Sequence, residues 1–205
     1  MTVIDIGANI GYHTLLFSKW VKPYGKIFAF EPDPTNFKLL KKNITANQIK
    51  NIVSFKNAVS DKNDKISLFL SEDNSGDHRI NDLLIFKNDN MRKKIGTHSV
   101  KLDSVFSKSQ KIDFIKIDIQ GSEIQALNGM QNILKNRKNI SMLIEFWPYA
   151  IQETGHEPRE LIEILKQLGF DIFSIKNTLL EKFDFNHPIF ENFAKLDYLN
   201  LYCIK

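Results

Sequence analysis

The sequence predicts an α/β fold, a mostly parallel sheet with helices on both faces that closes with an antiparallel pair of strands. Three observations predict it. Short β-branched or aromatic runs alternate with helical patterns almost from end to end, as they do where a parallel sheet is buried on both sides. The first run, "TVIDI", passes straight into a glycine loop and then a helical pattern. The last two runs, "DIFSI" and "YLNLYCI", have no helical pattern between them, so an antiparallel return fits.

Each element has its own signal. After "TVIDI" (2–6), "YHTLLFSKWV" reads as a helix with apolar positions at Leu15, Leu16, Phe17, Trp20 and Val21. "KIFAF" is the second strand. In "EPDPTNFKLLKKNITAN", Asp33 is a helix cap, Pro34 takes the first helical position, and Phe37, Leu40 and Ile44 share one face. "NIVSFKNAVS" holds the third strand. "KISLFL" (65–70) and "HSVKLD" (98–103) are strands around a polar segment, 71–97, expected to be a lid-like insertion. "IDFIKIDI" is a strand, and "GSEIQALNGMQNILKN" a single helix with Ile124, Leu127, Gln131 and Leu134 in step. "ISMLIEFW" is a strand, "EPRELIEILKQLGF" a helix from Pro158 to Gly169, and 177–197 a long loop.

The 205 residues suit one domain, 1–205, and can bury a core without disulfide or metal. The single cysteine, Cys203, sits in an apolar run as a structural thiol. With no signal peptide and no run of about 20 apolar residues, a cytoplasmic protein is expected. The net charge of +4 comes from lysines spread along the chain, which argues for a solvated surface over a nucleic-acid footprint.

The first strand–helix turn is where a sheet of this kind takes its ligand. A dinucleotide site would show G-x-G-x-x-G. Here the pattern is Asp5-x-Gly7-x-Asn9-x-Gly11, with a carboxylate before the loop and a side chain where a phosphate would approach. A pyrophosphate beside Asp5 is repelled, whereas an ammonium-bearing nucleoside is attracted, and S-adenosylmethionine meets that requirement. Glu31 ends the second strand, 20 residues after Gly11, where a carboxylate can accept both ribose hydroxyls. Asn57 and Ala58 follow the third strand at the expected adenine edge.

Together "DIGANIGYHT", "FEPDP", "KNAVSD", "LDSV" and "IDFIKIDIQGSE" resemble the FkbM-type S-adenosylmethionine-dependent methyltransferases, from Thr2 to about the "IEFWP" strand. The resemblance implies a Rossmann-like class I methyltransferase fold with a seven-stranded sheet, and methylation of oxygen on sugars or natural products. It carries the cofactor loop onto Gly7, Asn9 and Gly11, with Asp5 before it, and the ribose acid onto Glu31. Asp118, Gly121 and Glu123 match the family's D-[VI]-E-G-x-E segment. Gln120 departs from it, standing where the family usually has glutamate. Relatives carry an N-terminal segment that helps close the site, whereas the first strand here begins at residue 2, which points to a short variant or an incomplete product.

An alcohol is a poor nucleophile, so a general base near its proton would help. Asp118, Glu145 and His78 are the candidates, ahead of His13 and His156, and Asp118 is equally a candidate to hold the cofactor or the following turn. Glu145 follows an apolar strand, where an unpartnered buried acid would be costly. Trp147 and Tyr149 are candidates for a sugar-binding wall. No Cys, His or carboxylate cluster has metal spacing, and the acceptor is expected to be a small molecule or carbohydrate. Two alternatives stand beside this reading: a nucleic-acid base methyltransferase, disfavoured because "DIQG" is not [ND]-P-P-[YF], and a cofactor-binding homologue without catalysis, motivated by Gln120 and the missing N-terminal segment.

Overall fold

The computed structural model describes residues 1–21, 23–71, 78–80 and 92–205. Its main sheet is built from β1 (Thr2–Ile6), β2 (Lys26–Phe30), β3 (Ile52–Phe55), β7 (Phe114–Ile117), β8 (Ser141–Phe146), β9 (Asp171–Lys176), β10 (Leu179–Lys182) and β11 (Leu199–Ile204). The order across it is β10-β9-β11-β8-β7-β1-β2-β3. β3, β2, β1, β7 and β8 run parallel, and β11 lies antiparallel between β8 and β9. The chain moves from β1 outward to β3 and returns to β7 on the other side of β1. The strand order therefore reverses between β1 and β7, where such sheets open a crevice.

Strand alternation splits the core into two layers. In β1, Ile4 and Ile6 join the large cluster with Ile115, Ile117, Met142 and Ile144. That layer packs under α4 (Glu123–Asn128), α5 (Gln131–Lys135) and α7 (Pro158–Gln167), through Leu127, Leu134 and Leu165. Val3 faces the other way, with Ile27, onto Phe17 of α1 (Tyr12–Trp20). Ala29 continues that layer onto Leu40 of α2 (Pro34–Ala46). Each fully buried aliphatic side chain contributes about 2 kcal/mol. Asp33 caps α2, accepting the Asn36 N–H at 2.7 Å, with Pro34 in the first turn.

The sheet has eight strands and not seven. The extra strand, β10, folds back on β9 with Leu179 opposite Lys176. The two linking residues, Asn177 and Thr178, both have positive φ, 47° and 68°, which is the geometry of a tight hairpin turn. The single helix expected over 121–136 is two, α4 and α5. At the break, a Cβ on Gly129 would lie 2.0 Å from the Ser60 carbonyl oxygen. Asp103, in the short α3 (Leu102–Val105), caps the second piece by accepting the Asn132 and Ile133 N–H groups at 3.0 and 2.9 Å.

β4 (Ala58–Val59), β6 (Lys93–Val100) and β5 (Asp64–Leu70) form a separate three-stranded sheet in that order. Within the expected lid 71–97, residues 93–97 belong to β6, and 72–77 and 81–91 lie outside the described residues. Between them Arg79 pairs with Phe69 as an antiparallel bridge, with N–H···O distances of 2.7 and 3.1 Å. α6 (Pro148–Glu153) follows β8 directly.

Candidate active site

A cavity of about 420 Å³ opens at the reversal point. Its floor is the loop after β1, its two sides are the ends of β2 and β4 and the ends of β7 and β8, and His78 and Ile80 close over it. Among the residues expected at the site, Gly7, Asn9, Glu31, Asn57, Ala58, Asp118, Glu145 and His78 line this one space.

Gly7 is required by close approach. Its φ is +78°, and a Cβ would sit 1.9 Å from the Asp118 carbonyl oxygen, so the loops after β1 and β7 touch through the missing side chain. Gly11 does not line the cavity. At φ +96° it starts α1, and a Cβ would meet Leu40 Cδ1 at 2.6 Å.

Glu31 is the anchor of the β2 side. Its Oε2 accepts the Asn9 N–H at 2.8 Å and its Oε1 accepts the Asp33 N–H at 2.9 Å. Burial pushes its carboxyl up to about 7, against the two backbone N–H groups that favour the ion. Each oxygen keeps a lone pair for a further donor.

Asp5 does not face the ligand space, a correction to the electrostatic argument from sequence. It is fully buried beneath α1, where it accepts the Thr14 hydroxyl at 2.5 Å and faces Lys116 at 3.7 Å. The register explains this: Asp5 and Lys116 are direct partners on parallel β1 and β7, on the same pleat as Val3. Lys116 also reaches Asp118 Oδ2 at 3.2 Å. The two carboxylates hold the ammonium charged, well above its ordinary range despite burial.

From there the polar chain crosses to β8. The Gln120 amide nitrogen donates to Asp118 Oδ1 at 2.9 Å and to Glu145 Oε2 at 2.7 Å. Burial first, then the neighbouring Asp118 and Glu123 charges, push the Glu145 carboxyl up to about 8. Glu123 is buried beneath the turn, and its Oε1 accepts the Ile119 and Gly121 N–H groups at 3.3 and 3.2 Å.

Sequence reasoning missed Lys116, Tyr12 and the placing of His13. Tyr12 and His13 line the cavity from the first turn of α1, and burial together with Lys116 holds His13 below its usual pKa. The alternation of Asp118, Lys116 and Phe114 along β7 was the available signal. His78 lines the cavity and accepts the Ser71 N–H on Nδ1 at 3.1 Å. Trp147 is not an open wall. It is covered by Arg79 at 5.3 Å and donates to the Lys195 carbonyl at 2.6 Å, while Tyr149 packs beside it under Lys195. His156 pairs with Glu160 at 2.8 Å and does not line the cavity.

Strand order, glycine loop and strand-end carboxylates define an α/β protein with a crevice at the point where its strand order reverses. Comparison with known proteins narrows the class. Residues 5–172 match the methyltransferase FkbM domain, and the chain belongs to that methyltransferase family. It is 24% identical over 208 residues to the methyltransferase sdnD of Sordaria araneosa, covering 83% of this chain and 73% of that one. Among solved structures, the FkbM methyltransferase of Methylobacillus flagellatus KT superposes with a TM-score of 0.59 at 16% identity, over 98% of this chain but only 43% of its own length. SMU.1697c of Streptococcus mutans, solved in complex with SAH, gives 0.54 at 10% identity, over 98% and 86%. A rRNA methylase of Streptococcus thermophilus gives 0.52 at 11%, over 100% and 86%.

Proposed function

We propose that this chain is an S-adenosylmethionine-dependent methyltransferase that methylates a hydroxyl of a carbohydrate or small natural product, and that residues 1–205 form its one domain. The observation that carries the reading is the pairing, within one cavity, of Glu31 at the β2 end with Asp118 and Glu145 at the β7 and β8 ends.

The residues present fit the cofactor. Lys116 is the only lysine or arginine among the described lining residues, and Asp5 and Asp118 already hold it. The cavity therefore carries surplus negative charge, which suits a cationic ligand. Glu31 would hold the ribose hydroxyls with its remaining lone pairs, and Asn57 and Ala58 would flank the base. Bound there, the cofactor would supply a methyl group on a sulfonium, whose carbon an acceptor oxygen would attack in line as the carbon–sulfur bond breaks and the sulfur keeps the pair.

This chain's own task is then to orient the acceptor and take its proton. Asp118 and Glu145 stand at the acceptor side, with His78 on the same cavity wall. A polyanion would meet the same carboxylates, which favours a neutral acceptor over a nucleic acid. A cytoplasmic location accords with Cys203, whose buried thiol is pushed up to about 12 and is inert as a nucleophile.

Calorimetry with S-adenosylhomocysteine tests the reading. Saturable binding by the wild-type protein, weakened in Glu31→Ala, is expected; no binding by the wild type overturns it.

A further inference from the structure

We propose that Gln120 is a positioning residue whose single amide nitrogen ties Asp118 and Glu145 into one proton-sharing carboxylate pair, the unit that receives the acceptor's proton. The inference rests on the reading of this cavity as a methyl-transfer site, and concerns a residue at which the chain departs from its family's usual segment.

The geometry is specific. Both hydrogens of the amide are used, one on Asp118 Oδ1 at 2.9 Å and one on Glu145 Oε2 at 2.7 Å. The amide nitrogen, with two hydrogens, is the end of the side chain that can serve both carboxyl groups when either is ionised. The backbone is held in an uncommon shape to place it: Gln120 has φ +56° and Gly121 φ +99°. A Cβ on Gly121 would lie 2.8 Å from the Ala150 carbonyl oxygen, and Glu123 accepts the Ile119 and Gly121 N–H groups from below. A non-glycine residue kept in the left-handed region by its surroundings marks a position where side-chain placement matters.

Two carboxylates this close cannot both ionise freely. Lys116 lies 3.2 Å from Asp118, and burial with the neighbouring Asp118 and Glu123 charges keeps the proton on Glu145 through neutral pH, its carboxyl pushed up to about 8. The other ionisable groups facing the pair are Asp5 across Lys116, Glu123 beneath the turn, and His13 and His78 on the cavity wall. The pair thus holds one charge that can accept the single proton a hydroxyl releases. A carboxylate at position 120 would add a third negative charge with nothing to bridge the other two.

The test is a ¹³C NMR titration of the side-chain carboxyls in the full, cofactor-free chain, with Glu145 identified by its absence in Glu145→Gln. In the wild type the Glu145 signal is expected to titrate near 8. In Gln120→Met, which keeps the side-chain length and removes the donor, the Glu145 midpoint should rise by about one pH unit. Its affinity for S-adenosylhomocysteine should stay within about threefold of the wild type. An unchanged midpoint in a variant that still binds overturns the proposal. Should that variant not fold, Gln120→Leu serves, a neutral side chain without a donor: a midpoint that rises supports the bridge and an unmoved one overturns it. Absence of wild-type binding strikes the functional reading instead, since the titration is measured without cofactor.

Discussion

The two halves of the cavity are held by different means. On the β1–β2 side, polar contacts run from main chain to side chain: the Glu31 carboxylate is fixed by the Asn9 and Asp33 N–H groups, and Gly7 lets two loops touch. On the β7–β8 side they run from side chain to side chain, from Thr14 through Asp5, Lys116, Asp118 and Gln120 to Glu145. On the proposed reading, the first arrangement would serve as a rigid socket for a ligand of fixed shape. The second would serve as a network whose charge can be redistributed, as proton transfer needs.

The comparison breaks first at Lys116. Lys116→Met leaves Asp5 buried beside Asp118 without a cation, and should lower the unfolding free energy by about 3 kcal/mol in a urea titration. A loss close to zero would mean that the network is not an ion-paired unit. Gly7→Ala strains the other half, at φ +78° and against a backbone oxygen. It should cost about 2–3 kcal/mol, read as a lowered Tm.

Glu31→Ala tests the socket as a binding device. Two hydroxyl contacts to a carboxylate are lost, so affinity for S-adenosylhomocysteine should fall by roughly 10- to 100-fold by calorimetry. The pH dependence is milder. Hydroxyl donors favour ionised Glu31, whose carboxyl burial raises to about 7, so binding expels its proton. Affinity should be full above pH 7 and about tenfold lower at pH 6.

A further pH effect concerns the free protein. Glu31, Glu123 and Glu145 bind protons more tightly folded than unfolded, their carboxyls raised to about 7, 7 and 8. Their contribution to stability is full below the ordinary carboxylate range and is lost as pH rises through 7 to 8. Scanning calorimetry should give a lower Tm on the alkaline side of that window than on the acid side.

What could be read from the sequence follows the same division. The socket depends on local rules, since a glycine loop after a strand, an acid at the next strand end and a Ser/Asp-type cap all leave their mark at fixed spacing. Gly7, Asn9, Glu31 and Asp33 were therefore legible. The network depends on register. Nothing local says that Asp5 lies opposite Lys116, or that Gln120 and Glu145, 25 residues apart, meet through one amide. Asp5 was accordingly read as facing a ligand, when it faces a lysine. β10 escaped because "LLEK" lacks alternation and Asn177–Thr178 is not a glycine turn. The helix over 121–136 was read through Gly129, because the Ser60 backbone that breaks it is remote in the chain.

A co-crystal structure with S-adenosylhomocysteine tests the division most directly. The account predicts the ribose hydroxyls on Glu31 and the sulfur directed toward Asp118 and Glu145, with Asp5 and Lys116 untouched beneath. A ligand bound away from Glu31, or with its sulfur turned from the carboxylate pair, would contradict it.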